Sequence, residues 1–183
     1  QNADYIVIGA GAAGCLLANR LSASKKHKVV LLEAGGKDWN PLIKIPLYAG
    51  FLYYLPSLNW KLQTIPQLGL SSRSIVWPRG KVLGGSTAIN GMMYMRGQKR
   101  DYDSWGELGL EGWSYSELLQ YFKAFEQNFS HSIRDGYHGD EGELFTEKSK
   151  PKNELYERWI DSAKLCGFEI NDDFNGKTQE GIG

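Results

Sequence analysis

The chain has 183 residues, 42% of them hydrophobic and 23% charged, which excludes a disordered tail, a collagen-like fibre and a coiled coil. Lys plus Arg and Asp plus Glu both number 21, so a zero formal charge leaves no electrostatic footprint for nucleic acid. Two cysteines, Cys15 and Cys166, are too few for a disulfide scaffold or a four-cysteine zinc site and fit a reducing compartment.

Tyr5-Ile6-Val7-Ile8 is a short β-branched and aromatic run, predicting a parallel-sheet strand buried on both faces. Gly9, Ala10, Gly11, Ala12, Ala13 and Gly14 follow without a break, and Leu16, Leu17, Ala18 and Leu21 then predict a helix over Cys15–Ser24. Lys28–Leu32 predicts a second strand, ending at Glu33, nineteen residues beyond Gly14. Strand, glycine turn, helix, strand and acid make a dinucleotide-binding pattern. Gly9 permits the turn, Gly11 leaves room for a pyrophosphate and Gly14 allows close helix–strand packing. The helix N-terminus favours phosphate. A carboxylate at Glu33 can accept the hydroxyls of an unphosphorylated ribose. FAD and NAD share this half, and the motif alone does not choose between them.

An uncharged run from Ile45 to Asn59 contains Pro46 and Pro56 and is too short for a membrane span, which takes about 20 apolar residues. It reads as a buried or ligand-covering loop. Trp39, Tyr48, Phe51, Tyr53 and Tyr54 fit either a lid or interdomain packing. No signal peptide or transmembrane segment is recognisable, so a cytoplasmic location is expected.

Glycine is over-represented, at 22 residues where about 7% usage is ordinary. The second rich cluster runs from Arg79 to Gly97 and includes Gly80, Gly84, Gly85, Gly91, Ser86, Thr87 and Asn90. A nicotinamide enzyme has no obvious use for this second cluster, whereas a flavin ring must be covered.

Gly80 to Asp103 resembles the first signature of the glucose–methanol–choline (GMC) oxidoreductases, flavoenzymes that oxidise alcohols. The resemblance extends through the nucleotide motif, Asn59-Trp60, Asp101-Tyr102-Asp103, Gly112-Trp113-Ser114-Tyr115, Tyr137-His138-Gly139 and Asn171–Gly176. Gly80–Ser86 with Asn90-Gly91-Met92 looks most like the choline-dehydrogenase-like branch. The resemblance implies an α/β fold: a Rossmann-like FAD-binding domain, discontinuous in the family, with part of a substrate-binding α+β domain. Residues 1–145 would begin the FAD-binding domain with its flavin-covering loops, and 146–183 the substrate region.

It also implies roles. Gly9, Gly11, Ala12, Ala13, Gly14, Glu33 and Ala34 would hold the ADP half of FAD. Val82, Ser86, Asn90, Gly91 and Met93 would lie along the pyrophosphate, ribityl and isoalloxazine. Some members attach FAD through a His just before this Asn; Ile89 stands there, so non-covalent FAD is expected. Family members are longer, with the catalytic His near the far C-terminus, and nothing in this chain matches that motif. The chain is therefore expected to be an N-terminal portion, partnered by a C-terminal remainder as a second chain or a lost segment. The substrate would be a small primary or secondary alcohol. Relatives with hydroxynitrile lyase or fatty-acid photodecarboxylase chemistry, an inactive flavoprotein fragment and a nicotinamide enzyme are the alternatives.

Downstream, Ser114–Glu126 is predicted as a helix opened by a capping box, with Leu118, Phe122 and Phe125 as a core stripe. Asn153–Cys166 is predicted as another, with Leu155, Trp159, Ala163 and Cys166 inward and Gly167 as its stop. Thr146–Asn153 reads as a solvated connection. His27, His131 and His138 show no metal-ligand spacing, and His138 is read as part of a glycine-rich turn without a catalytic role. Asp101 and Asp103 read as helix-start or surface carboxylates.

Overall fold

A computed structural model describes residues 2–130, 135–149 and 153–183; His131 and part of the Thr146–Asn153 connection lie outside the described residues. The chain divides into two compact units, Gln1–Met93 and Tyr94–Gly183. The sequence-drawn boundary at 145/146 falls inside a strand of the second unit.

In the first unit, β1 (Tyr5–Ile8) and β2 (Val29–Leu32) pair in parallel, with Tyr5 opposite Val29 and Ile8 opposite Leu32. Helix α1 (Ala12–Ser22) connects them and packs on both. It starts three residues before the predicted Cys15, because Gly11 is extended (φ −77°, ψ −169°) and Ala12-Ala13 enter the helix at once. It ends at Ser22, whose hydroxyl donates back to the Ala18 carbonyl at 2.7 Å.

Burial of the strands on both faces does not hold in this chain. Ile6 is 63% and Ile8 85% exposed. A two-stranded sheet with one crossover helix has apolar side chains on two faces and a covering helix on one.

The hydrophobic core of this unit lies in the loops instead. Leu52, Leu58, Val82 and Ile89 are its buried centre, with Leu42, Ile43, Tyr53, Leu55 and Ala88 packed around them. The uncharged run supplies Leu52 from α2 (Ala49–Leu52), which follows the short helix Pro46–Tyr48, and Leu58 from the turns after it. Its aromatics divide: Tyr53 packs on the core, whereas Tyr54 is 74% exposed. The short ribbon β3 (Leu62–Gln63) and β4 (Val76–Trp77) is antiparallel.

The second unit opens with α3 (Lys99–Glu107) and α4 (Tyr115–Phe125). Both begin with capping boxes, Gln98 with Asp101 and Ser114 with Glu117. Asp103 accepts from the Tyr115 amide at 3.0 Å, so one acid of the pair starts α3 and the other ties it to α4. Tyr102, Tyr115, Phe122 and Phe125 form an aromatic cluster, in which Phe125 stays 39% exposed. Glu126 leaves the helix for an extended conformation (φ −83°, ψ 135°), and β5 (Glu126–Asn128) pairs in parallel with β6 (Leu144–Thr146). The predicted helix is therefore one residue too long, because the Glu126 carboxylate is drawn into a buried network.

Helix α5 (Glu154–Leu165) has Asn153 as its side-chain cap and a stop at Gly167 (φ +83°). Its predicted inward face is only partly covered. Ala163 is buried, whereas Leu155 is 74% and Trp159 53% exposed, and Cys166 is exposed as well. Periodicity marks an apolar face; it does not supply the surface that covers it. Among the described residues no helix is long and apolar enough to cross a membrane.

Candidate functional site

The two glycine clusters meet backbone to backbone. The Gly84 amide donates to the Ala10 carbonyl at 2.7 Å, and the Leu83 amide to Gly36 at 2.9 Å. Gly85, at φ +58°, comes so close that a Cβ there would sit 2.8 Å from the Gly11 Cα. A Cβ on Gly14 would run into the Gly9 carbonyl, so only glycine lets α1 start this near the end of β1. Gly11 faces open space: nothing lies within 4 Å of the position a Cβ would take.

That open space is a cavity of about 650 Å³ lined by Ile8, Gly9, Gly11, Leu32, Glu33 and Ala34 from the β1–α1–β2 side. Trp60, Arg79, Gly80, Gly85 and Ser86 close it from the other. The first-turn amides of α1 have no intrahelical acceptors. No side chain caps that helix, and its first turn carries no acid. An unneutralised helix N-terminus beside an open glycine suits a phosphate. Glu33 fixes the floor. One carboxylate oxygen accepts from the Ala10 amide and the other from Gly35, each at 2.8 Å. Each oxygen keeps acceptor capacity for a hydroxyl.

Of the predicted site residues, Gly9, Gly11, Glu33, Ala34 and Ser86 line this cavity. Ala12 and Ala13 form the first turn of α1, and Gly14 is buried behind it. Ser86 accepts from the Gly80 amide at 3.1 Å and so closes the second loop on itself. Val82 does not line the cavity: it is 0% exposed, and its side chain packs in the hydrophobic core behind the loop. Asn90, Gly91 and Met93 are exposed and do not line the cavity, and Asn90 accepts from the Met92 amide at 2.9 Å. Ile89, read for its bearing on covalent attachment, is buried beside Val82.

Trp60 and Arg79 are the two large side chains that the second wall adds to the predicted site residues. Trp60 was noted only as part of a motif. Arg79 was noted only as the start of the second cluster. Arg79 forms no ion pair with a carboxylate among the described residues, and its guanidinium donates to the Pro78 carbonyl at 2.7 Å.

The second unit holds a different cluster, which spacing did not reveal. Arg96 donates to buried Glu126 at 2.7 Å, and the same carboxylate meets His138 Nδ1 at 3.0 Å. His138 Nε2 meets Asp173 at 2.8 Å. Arg96 further donates to the carbonyls of Tyr137 and Asn175, at 2.8 and 3.3 Å. His138 is thus no ordinary turn residue. Burial works against its charged form, but hydrogen bonds and attraction from Asp173 and Glu126 outweigh that and raise its pKa above the usual histidine value. Burial likewise opposes charge on Arg96, and Tyr94 and Glu126 outweigh it. Burial raises the Tyr94 phenol. Asp135 brings a third ligand atom within 4.8 Å of those of His138 and Asp173, yet the nitrogen a cation would need is hydrogen-bonded to Asp173. Both ring nitrogens are held by carboxylates, so His138 is not a free base.

Comparison with known proteins accords with the cavity. The GMC oxidoreductase family model matches residues 3–183. The chain therefore belongs to the GMC oxidoreductase family. It is 44% identical over its whole length to an oxygen-dependent choline dehydrogenase from Sinorhizobium fredii, covering 33% of that protein. It is 46% identical over 180 residues to an alcohol dehydrogenase [acceptor] from Pseudomonas putida, covering 98% of this chain and 32% of that one. Among solved structures it resembles pyridoxine 4-oxidase from Mesorbium loti, at 33% identity and a TM-score of 0.87, over 96% of this chain and 34% of the other. The chain thus spans about a third of the length of the curated relatives it matches.

Proposed function

We propose that this chain is the cofactor-holding portion of an FAD-dependent alcohol oxidoreductase of the choline-dehydrogenase-like kind. The observation that carries the reading is the cavity between the two glycine clusters, with an open helix N-terminus and Glu33 on its wall. A dinucleotide fits the donors present. The α1 first turn at Ala12 and Ala13 would face the pyrophosphate, Gly11 would make room for it, and Glu33 would accept the ribose hydroxyls. Arg79 would add a cation against the phosphates and Trp60 an aromatic wall. Ser86, Asn90, Gly91 and Met93 belong to the loop assigned to the flavin half.

Bound FAD would supply the hydride acceptor for oxidation of a primary or secondary alcohol. The chain's own share is to bind and orient the cofactor. The catalytic base is assigned to the remainder of the protein, as a continuation of this chain or as a second chain, because His138 is locked between two carboxylates. Ile89 in the core supports non-covalent attachment. The free thiols Cys15 and Cys166 suit the cytoplasm.

The test is the visible spectrum of the purified full-length protein, followed by anaerobic titration with an alcohol. A flavin spectrum that bleaches with alcohol supports the reading, and acid precipitation should release the flavin. A flavin that no alcohol bleaches would favour the lyase or photodecarboxylase alternatives. A colourless protein that gains no flavin spectrum with added FAD would sink the reading.

A further inference from the structure

Asn59 is 2% exposed, and both polar atoms of its side chain are engaged. Its amide donates to the Tyr53 carbonyl at 2.7 Å, anchoring it to the hydrophobic core. Its carbonyl oxygen accepts from the backbone of both Lys61 and Arg79, each at 3.0 Å. The Trp60 amide donates to the Arg79 carbonyl at 2.9 Å, and Asn59 bridges Gly80 in antiparallel fashion. One buried carboxamide therefore ties together the two segments whose side chains form the far wall of the cavity. The tie also holds an unusual backbone: Lys61 stands at φ +53°, a left-handed conformation that a lysine rarely adopts. Lys61 carries this geometry immediately after Trp60, and its amide is one of the two that Asn59 accepts.

Trp60 and Arg79 have the exposure that contact with a ligand needs. Trp60 is 47% exposed and lines the cavity, with the Lys81 ammonium 4.7 Å from its ring centroid. Arg79 lies 5.1 Å over Trp77, with no carboxylate partner among the described residues. An aromatic wall and a guanidinium without a carboxylate partner on one cavity match a nucleotide's ring and phosphate.

We propose that Asn59 is a positioning residue of this cavity, holding Trp60 and Arg79 where they grip the ADP half of the bound cofactor. The inference rests on the FAD reading above and extends it to a residue that touches no ligand. A mere core amide would stabilise the fold and leave affinity to other groups. A positioning amide acts through Trp60 and Arg79 and loses its effect when they are gone.

The experiment is a thermodynamic cycle on the full-length protein, stripped of cofactor and titrated with FAD. Arg79→Ala should raise Kd about tenfold or more, the scale of one hydrogen bond to a charged group, and Trp60→Ala about as much, the scale of stacking one base on an aromatic ring. Asn59→Leu should do the same. In the Trp60→Ala/Arg79→Ala background, however, Asn59→Leu should add less than about twofold, because coupled residues are non-additive. Should Asn59→Leu fail to fold, the neutral and smaller Asn59→Ser enters the same cycle and should show the same loss of effect in the double wall variant. Full additivity in the cycle overturns the inference, as does an unchanged Kd in both wall variants. A wild-type protein that binds no FAD rejects the functional reading itself, and is seen before any substitution is made.

Discussion

The two units handle polar groups in opposite ways. Around the glycine clusters, backbone approaches backbone and polar atoms are left facing a cavity, as at the first turn of α1 and at Arg79. Around Arg96, the charged side chains are buried and answer one another, with Glu126 1% and His138 2% exposed. Polar groups without partners are what a ligand can satisfy. A network whose members are mutually satisfied has a structural task, and its cost appears when one member is taken away. The contrast explains why the histidine in the more elaborate cluster is not assigned as a catalyst, while a site with no histidine is assigned to the cofactor.

Substitutions in both units test that contrast. Glu126→Ala should have the largest effect, about 3–5 kcal/mol of stability lost, because Arg96 would remain buried and unpaired; chemical denaturation of the full-length protein measures it. Replacing Arg96 and Glu126 together by Met and Leu should cost less than the two single changes summed. A fully additive pair would break the distinction between the units.

Glu33→Ala should act on affinity more than on stability, weakening FAD binding by about 1.5–3 kcal/mol. Equilibrium titration reads it, and an unchanged Kd would remove Glu33 from the site.

The pH dependence comes from His138, whose folded pKa is raised by Asp173 and Glu126 against the opposing effect of burial. The unfolded histidine titrates near 6.5. Protonation therefore favours the folded state: the stabilisation is fully present below about pH 6.5 and is lost as pH rises through the raised folded value. Denaturation midpoints on the two sides of that window should converge in His138→Gln. An equal loss of stability in the variant would place the titrating group elsewhere.

The smallest change is Ser114→Ala at the start of α4. It should cost about 1 kcal/mol through loss of the cap and leave FAD affinity unchanged; thermal unfolding combined with the FAD titration checks both halves.

Local chemistry made part of the molecule legible. The run Tyr5–Ile8, the glycines after it and Glu33 are close in sequence and carry their geometry in their spacing, so β1, the turn and β2 were readable. The boxes at Ser114 and the stop at Gly167 are likewise contained within a few residues. Helix faces were less readable. Leu155 and Trp159 have helical spacing, yet what covers an apolar face is set by another segment.

What spans long separations needed the folded chain. Arg96 and Glu126 are 30 residues apart, and His138 and Asp173 are 35. No periodicity encodes such pairs, so Glu126 read as the end of a helix and His138 as part of a turn. The same holds in the cavity, where Arg79 meets the Asn59 carboxamide across 20 residues. The dinucleotide motif and the family are legible before folding, because both reside in short runs whose backbone needs are local. The folded chain alone shows that the two glycine clusters touch, that the Val82 side chain packs behind its loop and that Trp60 and Arg79 complete the wall. Those facts depend on close packing and hydrogen bonds between distant segments, and these exist only once the chain has folded.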